Sequence, residues 1–309
     1  MERPAIRLVV SPSLGARVVS LLDRRTGREW LAPGKTPAAP ALRAWSAEDA
    51  VFGGEQAFGW DECLPTVAPS PDPLNPHDPP LRDHGSLWGR DAATSLDEGT
   101  LVTEWPADRW GLRFLRRLRI DSSAVIADYA LHNPTHTALP FLWSAHPLLR
   151  LEPGTRLHLP KLDRIQVESS GGVAFRDRRA AWPRALDADG RPVQLDLVPA
   201  PSAGISVKAF ARGLEGRAGA LAPDGSWLGL AWDPVFAPAL GLWLDHGAWP
   251  EDKPLQQVAF EPTTAAHDAL ADAIADRHVA TVAPGRTVRW WMRIEVGTHP
   301  PGLAAFLRG

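Results

Sequence analysis

The chain has a single cysteine, Cys63, in 309 residues, which excludes a disulfide framework and a cysteine-rich zinc site. It has no long Lys/Arg run and a formal net charge of −3, so neither nucleic acid nor an anionic membrane is an expected partner. No apolar run approaches the roughly 18 residues a membrane helix needs. The opening MERPAIRLVVSPSLGARVV has arginines within and after a very short apolar run, the wrong pattern for a secretory leader. A soluble cytoplasmic protein is expected. There is no P-loop and no strand-linked G-x-G-x-x-G. The nearest approach to a metal-ligand cluster, His77, Asp78, Asp83 and His84, is too loosely spaced, so no metal or other cofactor is expected.

What is present is tryptophan, fourteen against nine phenylalanines and one tyrosine. A tryptophan face packs against the C–H face of a pyranose, yet most such rings fill cores, and about three in four are expected to do so here. Residues 5–10 and 15–22 read as two strands about a Ser-Pro-Ser turn, and the Pro/Ala-rich stretch 32–43 reads as a loop. Phe52–Pro65 contains Gly53, Gly54 and Gly59, suited to tight turns beside a cavity. Its Asp61 and Glu62 either face a ligand or cap a turn. Further strands are expected at 112–120, 125–131, 141–149, 204–210, 227–232, 240–244 and 287–296. The last shows the clearest alternation, with Val288, Trp290, Met292, Ile294 and Val296 on one face. Residues 176–203 read as a surface excursion, and only 265–276 and the last eight residues read as helical. Nothing in the composition divides the chain, which reads as one nearly all-β domain over 1–309.

Three stretches concentrate the chemistry. Leu81–Arg90, LRDHGSLWGR, sets His84 beside Asp83, Trp88 and Arg90. His146 lies within the apolar FLWSAHPLL, where a histidine needs a polar partner or a pocket. Glu261 follows apolar residues and precedes Pro262, which is expected to end regular pairing and leave the carboxylate at a strand end. A histidine and a carboxylate that converge on a sugar-sized pocket make an acid–base pair. Trp88 and Trp243 are the preferred stacking rings. Arg82 and Arg90 either meet a ligand phosphate or carboxylate or form ion pairs with nearby acids, the latter favoured about two to one.

Gly59-Trp60-Asp61-Glu62, Asp83–Trp88, Trp143–Pro147 and Ala259–Thr264 occur in the order seen in the aldose 1-epimerase (galactose mutarotase) superfamily, and the sequence resembles that family over nearly its whole length. The match looks closest to a bacterial branch apart from the true galactose mutarotases. The resemblance implies a β-sandwich of the supersandwich type with few short helices and a site in a concave sheet face. It implies His84 as a substrate-positioning histidine, His146 as the acid at the ring oxygen and Glu261 as the base at the anomeric hydroxyl. Lys208 stands by rough placement where the family carries a sugar-binding aspartate. It favours an anionic or differently oriented sugar, or is a solvated strand lysine. The implied activity is cofactor-independent anomer interconversion on a monosaccharide or sugar phosphate, by a monomer or homodimer. The alternative is a sugar-binding protein without turnover.

Overall fold

The computed structural model describes residues 1–35 and 37–309. Alternation along the strands assembles two large antiparallel sheets. In Arg113–Asp121 the exposed Arg113, Arg117 and Arg119 alternate with the buried Phe114, Leu118 and Ile120. In Thr287–Gly297 the buried residues are Trp290, Met292, Ile294 and Val296. These belong to an eight-stranded sheet ordered Arg156–His158, Arg217–Leu221, Trp227–Trp232, Thr287–Gly297, Ala124–His132, Arg113–Asp121, Thr100–Glu104 and Ala93–Asp97.

The second sheet has ten strands. Its path runs Ile6–Ser11, Arg17–Asp23, Trp60–Cys63, Ser144–Leu149, Gln256–Thr263, Ala239–His246, Ile205–Arg212, Arg164–Gly171 and Arg179–Ala181, with Arg28–Glu29 added beside Arg17–Asp23. Ser144–Leu149 is buried at every residue, and Gln256–Thr263 at all but the first. A central strand reads this way when both of its faces are covered. One face meets the other sheet, and the opposite face lines the cavity described below.

Between the sheets lies an aromatic core. Trp143 packs edge-on against Trp290 at 5.1 Å, and Trp290 stacks on Tyr129 at 5.4 Å and on Phe236 at 4.1 Å. Each buried tryptophan removes about 150–250 Å² from water, roughly 4–6 kcal/mol at 25 cal/mol/Å². Eleven of the fourteen tryptophans are buried, the exceptions being Trp243, Trp249 and Trp291. Trp243 and Trp249 line the cavity, while Trp291 is on the outer face of the eight-stranded sheet.

Several expectations need correction. Ala39–Trp45, which starts inside the stretch read as a loop and runs just beyond it, is a helix whose proline is in its first turn, where a missing N–H costs nothing. The excursion 176–203 contains the strands Arg179–Ala181, Arg184–Leu186 and Pro192–Gln194. The helical segment near 270 is only Leu270–Ala275, held at its start by Thr66 Oγ1 on the Leu270 amide and Ser70 Oγ on the Ala271 amide. Pro262 does not end pairing: it stands opposite Leu240 inside Gln256–Thr263, which places Glu261 within a strand.

Candidate active site

Adjacent strands of the ten-stranded sheet bring Asp61, His146 and Glu261 to one face. His146 is directly across from Asp61, and Gln257, Ala259 and Glu261 project to the same side of the next strand by the period-two rule. The residues at this face enclose a cavity of about 190 Å³. That is smaller than the roughly 300–1,000 Å³ of sites for drug-sized ligands, and it suits an occupant of monosaccharide size. Its walls include His84, His146, Lys208, Glu261, Gln257, Asp268, Trp243, Trp249 and Phe52.

His146 is 5% exposed, and its Nδ1 is 3.0 Å from Asp61 Oδ1. The other Asp61 oxygen is 2.5 Å from the buried Arg17 guanidinium, which also donates to the carbonyls of Gln56 and Phe58. Burial pushes the Asp61 carboxyl up, but Arg17 and His146 outweigh it and hold it at about 2. Asp61 is therefore a carboxylate that accepts a hydrogen bond from the Nδ1–H of His146, and the ring's other nitrogen, Nε2, is the one available to a ligand.

His84 occupies the left-handed region at φ 55, which costs a non-glycine residue about 1–2 kcal/mol, and Gly85 follows at φ 73. A Cβ on Gly85 would meet Leu64 O at 2.1 Å, so the turn requires glycine there. Two contacts hold the imidazole in place, and a hydrogen bond between the two residues that make them ties them together. Asp83 Oδ1 is 2.8 Å from Nδ1, Asp83 Oδ2 accepts the Phe52 amide at 2.9 Å, and the Phe52 ring stacks on His84 at 3.9 Å. Burial lowers the His84 pKa, and the neighbouring His146 adds to this against the pull of Asp83. The two imidazole centroids are 5.1 Å apart.

Glu261 is 1% exposed. Its Oε2 is 2.5 Å from Lys208 Nζ, while Oε1 is buried with no hydrogen-bond partner among the described residues. Burial raises its pKa, but Lys208 and the two histidines more than offset this and leave it below the usual carboxylate value. Lys208 is itself buried and is 3.2 Å from Asp268 Oδ1 as well, and these two carboxylates raise its pKa against the effect of burial. The reading of Lys208 as a solvated strand lysine is overturned: it faces the cavity and is neutralised by two acids.

The other expected residues divide. Trp243 lines the cavity and meets Trp249 edge-on at 5.8 Å. Asp83 orients His84 from behind. Trp88 does not reach the cavity wall. It is 1% exposed, donates from Nε1 to Asp83 O at 2.7 Å and lies beneath the Arg82 guanidinium at 4.1 Å. Arg90 is likewise outside the cavity, paired with Glu48 at 2.5 Å, the ion-pair alternative for this residue. Arg82 is consumed by the carbonyls of Gly85, Trp88 and Trp45.

Asp61 and Glu62 prove to be on opposite faces of Trp60–Cys63. Glu62 points between the sheets to Arg116, Tyr129 and Trp143, and burial pushes it up to about 7 against their pull. Phe52, Asp268, Gln257 and Trp249 were not singled out from the sequence. Asp268 arrives on a loop whose carbonyl accepts the amides of Val67 and Ala68, a contact 200 residues apart that no local pattern announces.

Comparison with solved structures identifies the fold as that of the galactose mutarotase-like proteins, an all-β sandwich. A candidate aldose 1-epimerase from Klebsiella pneumoniae is 14% identical with a TM-score of 0.74, covering 99% of this chain and 80% of that one. The Slr1438 protein from Synechocystis is 14% identical with a TM-score of 0.68, covering 96% and 93%. A galactose mutarotase-like protein from Lactobacillus casei is 14% identical with a TM-score of 0.63, covering 96% and 99%. No family model and no curated protein matches the sequence. No helix among the described residues is long and apolar enough to cross a membrane.

Proposed function

We propose that the protein is a cofactor-independent aldose 1-epimerase that interconverts the anomers of a monosaccharide. One observation carries this reading: Glu261 and His146, on adjacent strands that line the cavity, each commit one polar atom to a buried partner and leave the other without a hydrogen-bond partner among the described residues. Glu261 Oε1 takes the proton of the anomeric hydroxyl while protonated His146 gives the Nε2 proton to the ring oxygen. The C1–O5 bond breaks and the open-chain aldehyde forms. Rotation about C1–C2 presents the other carbonyl face, and the reverse transfers close the ring as the opposite anomer. Asp61 stabilises the imidazolium before the transfer, and His84, Gln257 and Trp243 hold the sugar. General acid and general base catalysis typically contribute about 10²–10⁴-fold each.

The Lys208–Glu261 ion pair favours a second reading, a sugar-binding protein without turnover, because it partly neutralises the base. Saturation-transfer NMR of anomer exchange on a panel of free and phosphorylated aldoses separates the two. The enzyme accelerates exchange, and Glu261→Gln loses the acceleration while still binding sugar. Full activity in that variant sinks the mechanism, and ligand shifts without acceleration in the wild type point to the binder.

A further inference from the structure

Lys208 and Glu261 are not on neighbouring strands. Ala239–His246 runs between theirs, with Gly241 opposite Glu261 on one side and opposite Phe210 on the other. Two interstrand spacings amount to about 9.5 Å, a span that a lysine stem crosses only where the intervening strand offers no obstacle. Gly241 removes one such obstacle beside the carboxylate: a Cβ there would fall 2.9 Å from Glu261 Oε2, the oxygen the lysine takes. The Glu261 side chain lies over the glycine, and Lys208, which stands opposite Trp243 on that strand, takes Oε2 at 2.5 Å while Asp268 Oδ1 is 3.2 Å from the same ammonium.

We propose that Lys208 is the positioning residue for the base. It clamps Oε2 of Glu261 and leaves Oε1 as the carboxylate oxygen without a protein partner among the described residues, and Asp268 shares its charge and so moderates the clamp. Naming Glu261 as the base rests on the mutarotase reading, whereas the clamp itself rests on the geometry. A free glutamate would rotate and divide its proton affinity between two oxygens; the clamped one presents Oε1 alone. The charged and titratable groups around Glu261 are Lys208 from Ile205–Arg212, His146 from Ser144–Leu149 with Asp61 behind it, His84 from its turn, and Asp268 through Lys208. Of these only Lys208 bonds the carboxylate directly.

The test is a ¹³C NMR titration of the glutamate side-chain carboxyls in the full chain, with Glu261 assigned by the signal missing in Glu261→Gln. In the wild type Glu261 titrates below its ordinary value of 4.5. Lys208→Met removes the charge at nearly constant volume and raises that value by roughly 1–3 units. The acid limb of the anomerisation profile moves upward with it. Lys208→Arg keeps the value low but lowers the rate, because a planar fork does not reproduce the point contact of an ammonium. Asp268→Asn returns the shared charge to Glu261 and shifts its titration downward, which gives a readout should Lys208→Met fail to fold. An unmoved Glu261 titration in Lys208→Met, or an upward shift in Asp268→Asn, overturns the proposal. A wild type inert on every aldose removes the mutarotase reading and leaves the titration to decide the clamp.

Discussion

Gly241 is directly opposite Glu261 on the neighbouring strand, and a Cβ at this position would meet Glu261 Oε2 at 2.9 Å and its Cβ at 3.1 Å. Gly241→Ala should therefore displace the carboxylate by a few tenths of an ångström or more without disturbing the core. Misplacement on the ångström scale costs up to about 10²-fold in rate. The expected outcome is a 10- to 100-fold loss of anomer exchange with a melting temperature close to that of the wild type, read by saturation-transfer NMR and thermal unfolding.

Asp61→Asn should be costly for a different reason. It leaves the Arg17 guanidinium, 1% exposed, without its counter-charge, and breaking such a pair costs about 3–5 kcal/mol. The pH dependence follows from the sign of the shift. Asp61 is held at about 2 in the fold against an ordinary 3.8, so its contribution is complete above about pH 4 and is lost as pH falls towards 2. Denaturant unfolding across that range should show the gap between wild type and variant closing under acid.

The two tryptophans proposed as stacking rings should separate cleanly. Trp243→Ala removes part of the cavity wall and should weaken sugar binding while changing stability little, since its side chain is only half-buried. Trp88→Ala empties a fully buried site and should destabilise by about 3–5 kcal/mol. Calorimetric sugar titration and denaturant unfolding of both variants check the pair.

A sugar phosphate or uronic acid should bind no better than its neutral counterpart. The one lysine in the cavity wall already serves Glu261 and Asp268, and Arg82 and Arg90 are engaged elsewhere. Competition between glucose and glucose 6-phosphate in the exchange assay is the check. A tenfold preference for the phosphate would contradict this charge accounting.

The parts of the site legible in the sequence are those with a local pattern. A histidine within FLWSAHPLL and a glutamate after an apolar run both stand out, because a polar group on a buried strand requires a reason. Sequence treats Asp61 and Glu62 as one acidic pair that either faces a ligand or caps a turn, although strand periodicity sends them to opposite faces. Trp60–Cys63 is only four residues long, too short for that alternation to show. Trp88 and Trp243 look alike in sequence, and only tertiary packing buries one and opens the other. Asp268 and Phe52 reach the cavity on loops, and their places depend on contacts with Val67, Ala68 and Asp83 that are distant along the chain. The strand at 287–297 is plain because apolar residues recur at every second position from Val288 to Val296, and 113–121 is nearly so, broken only by Leu115 on the outer face and the buried Arg116.

The opposed carboxylates of Trp60–Cys63 have a consequence for how the chain finds its register. Asp61 locks to Arg17 on the cavity side, and Glu62 locks to Arg116 on the core side at 3.0 Å. A slip of one residue would turn every side chain of this strand to the other face. It would place Glu62 beside His146, drive Asp61 between the sheets and leave both arginines beside the wrong partners. So short a strand carries little hydrophobic information about alignment. Its two neighbouring acids act as a keyed pair that admits one alignment, and the alignment that satisfies the core is also the one that hands His146 its aspartate.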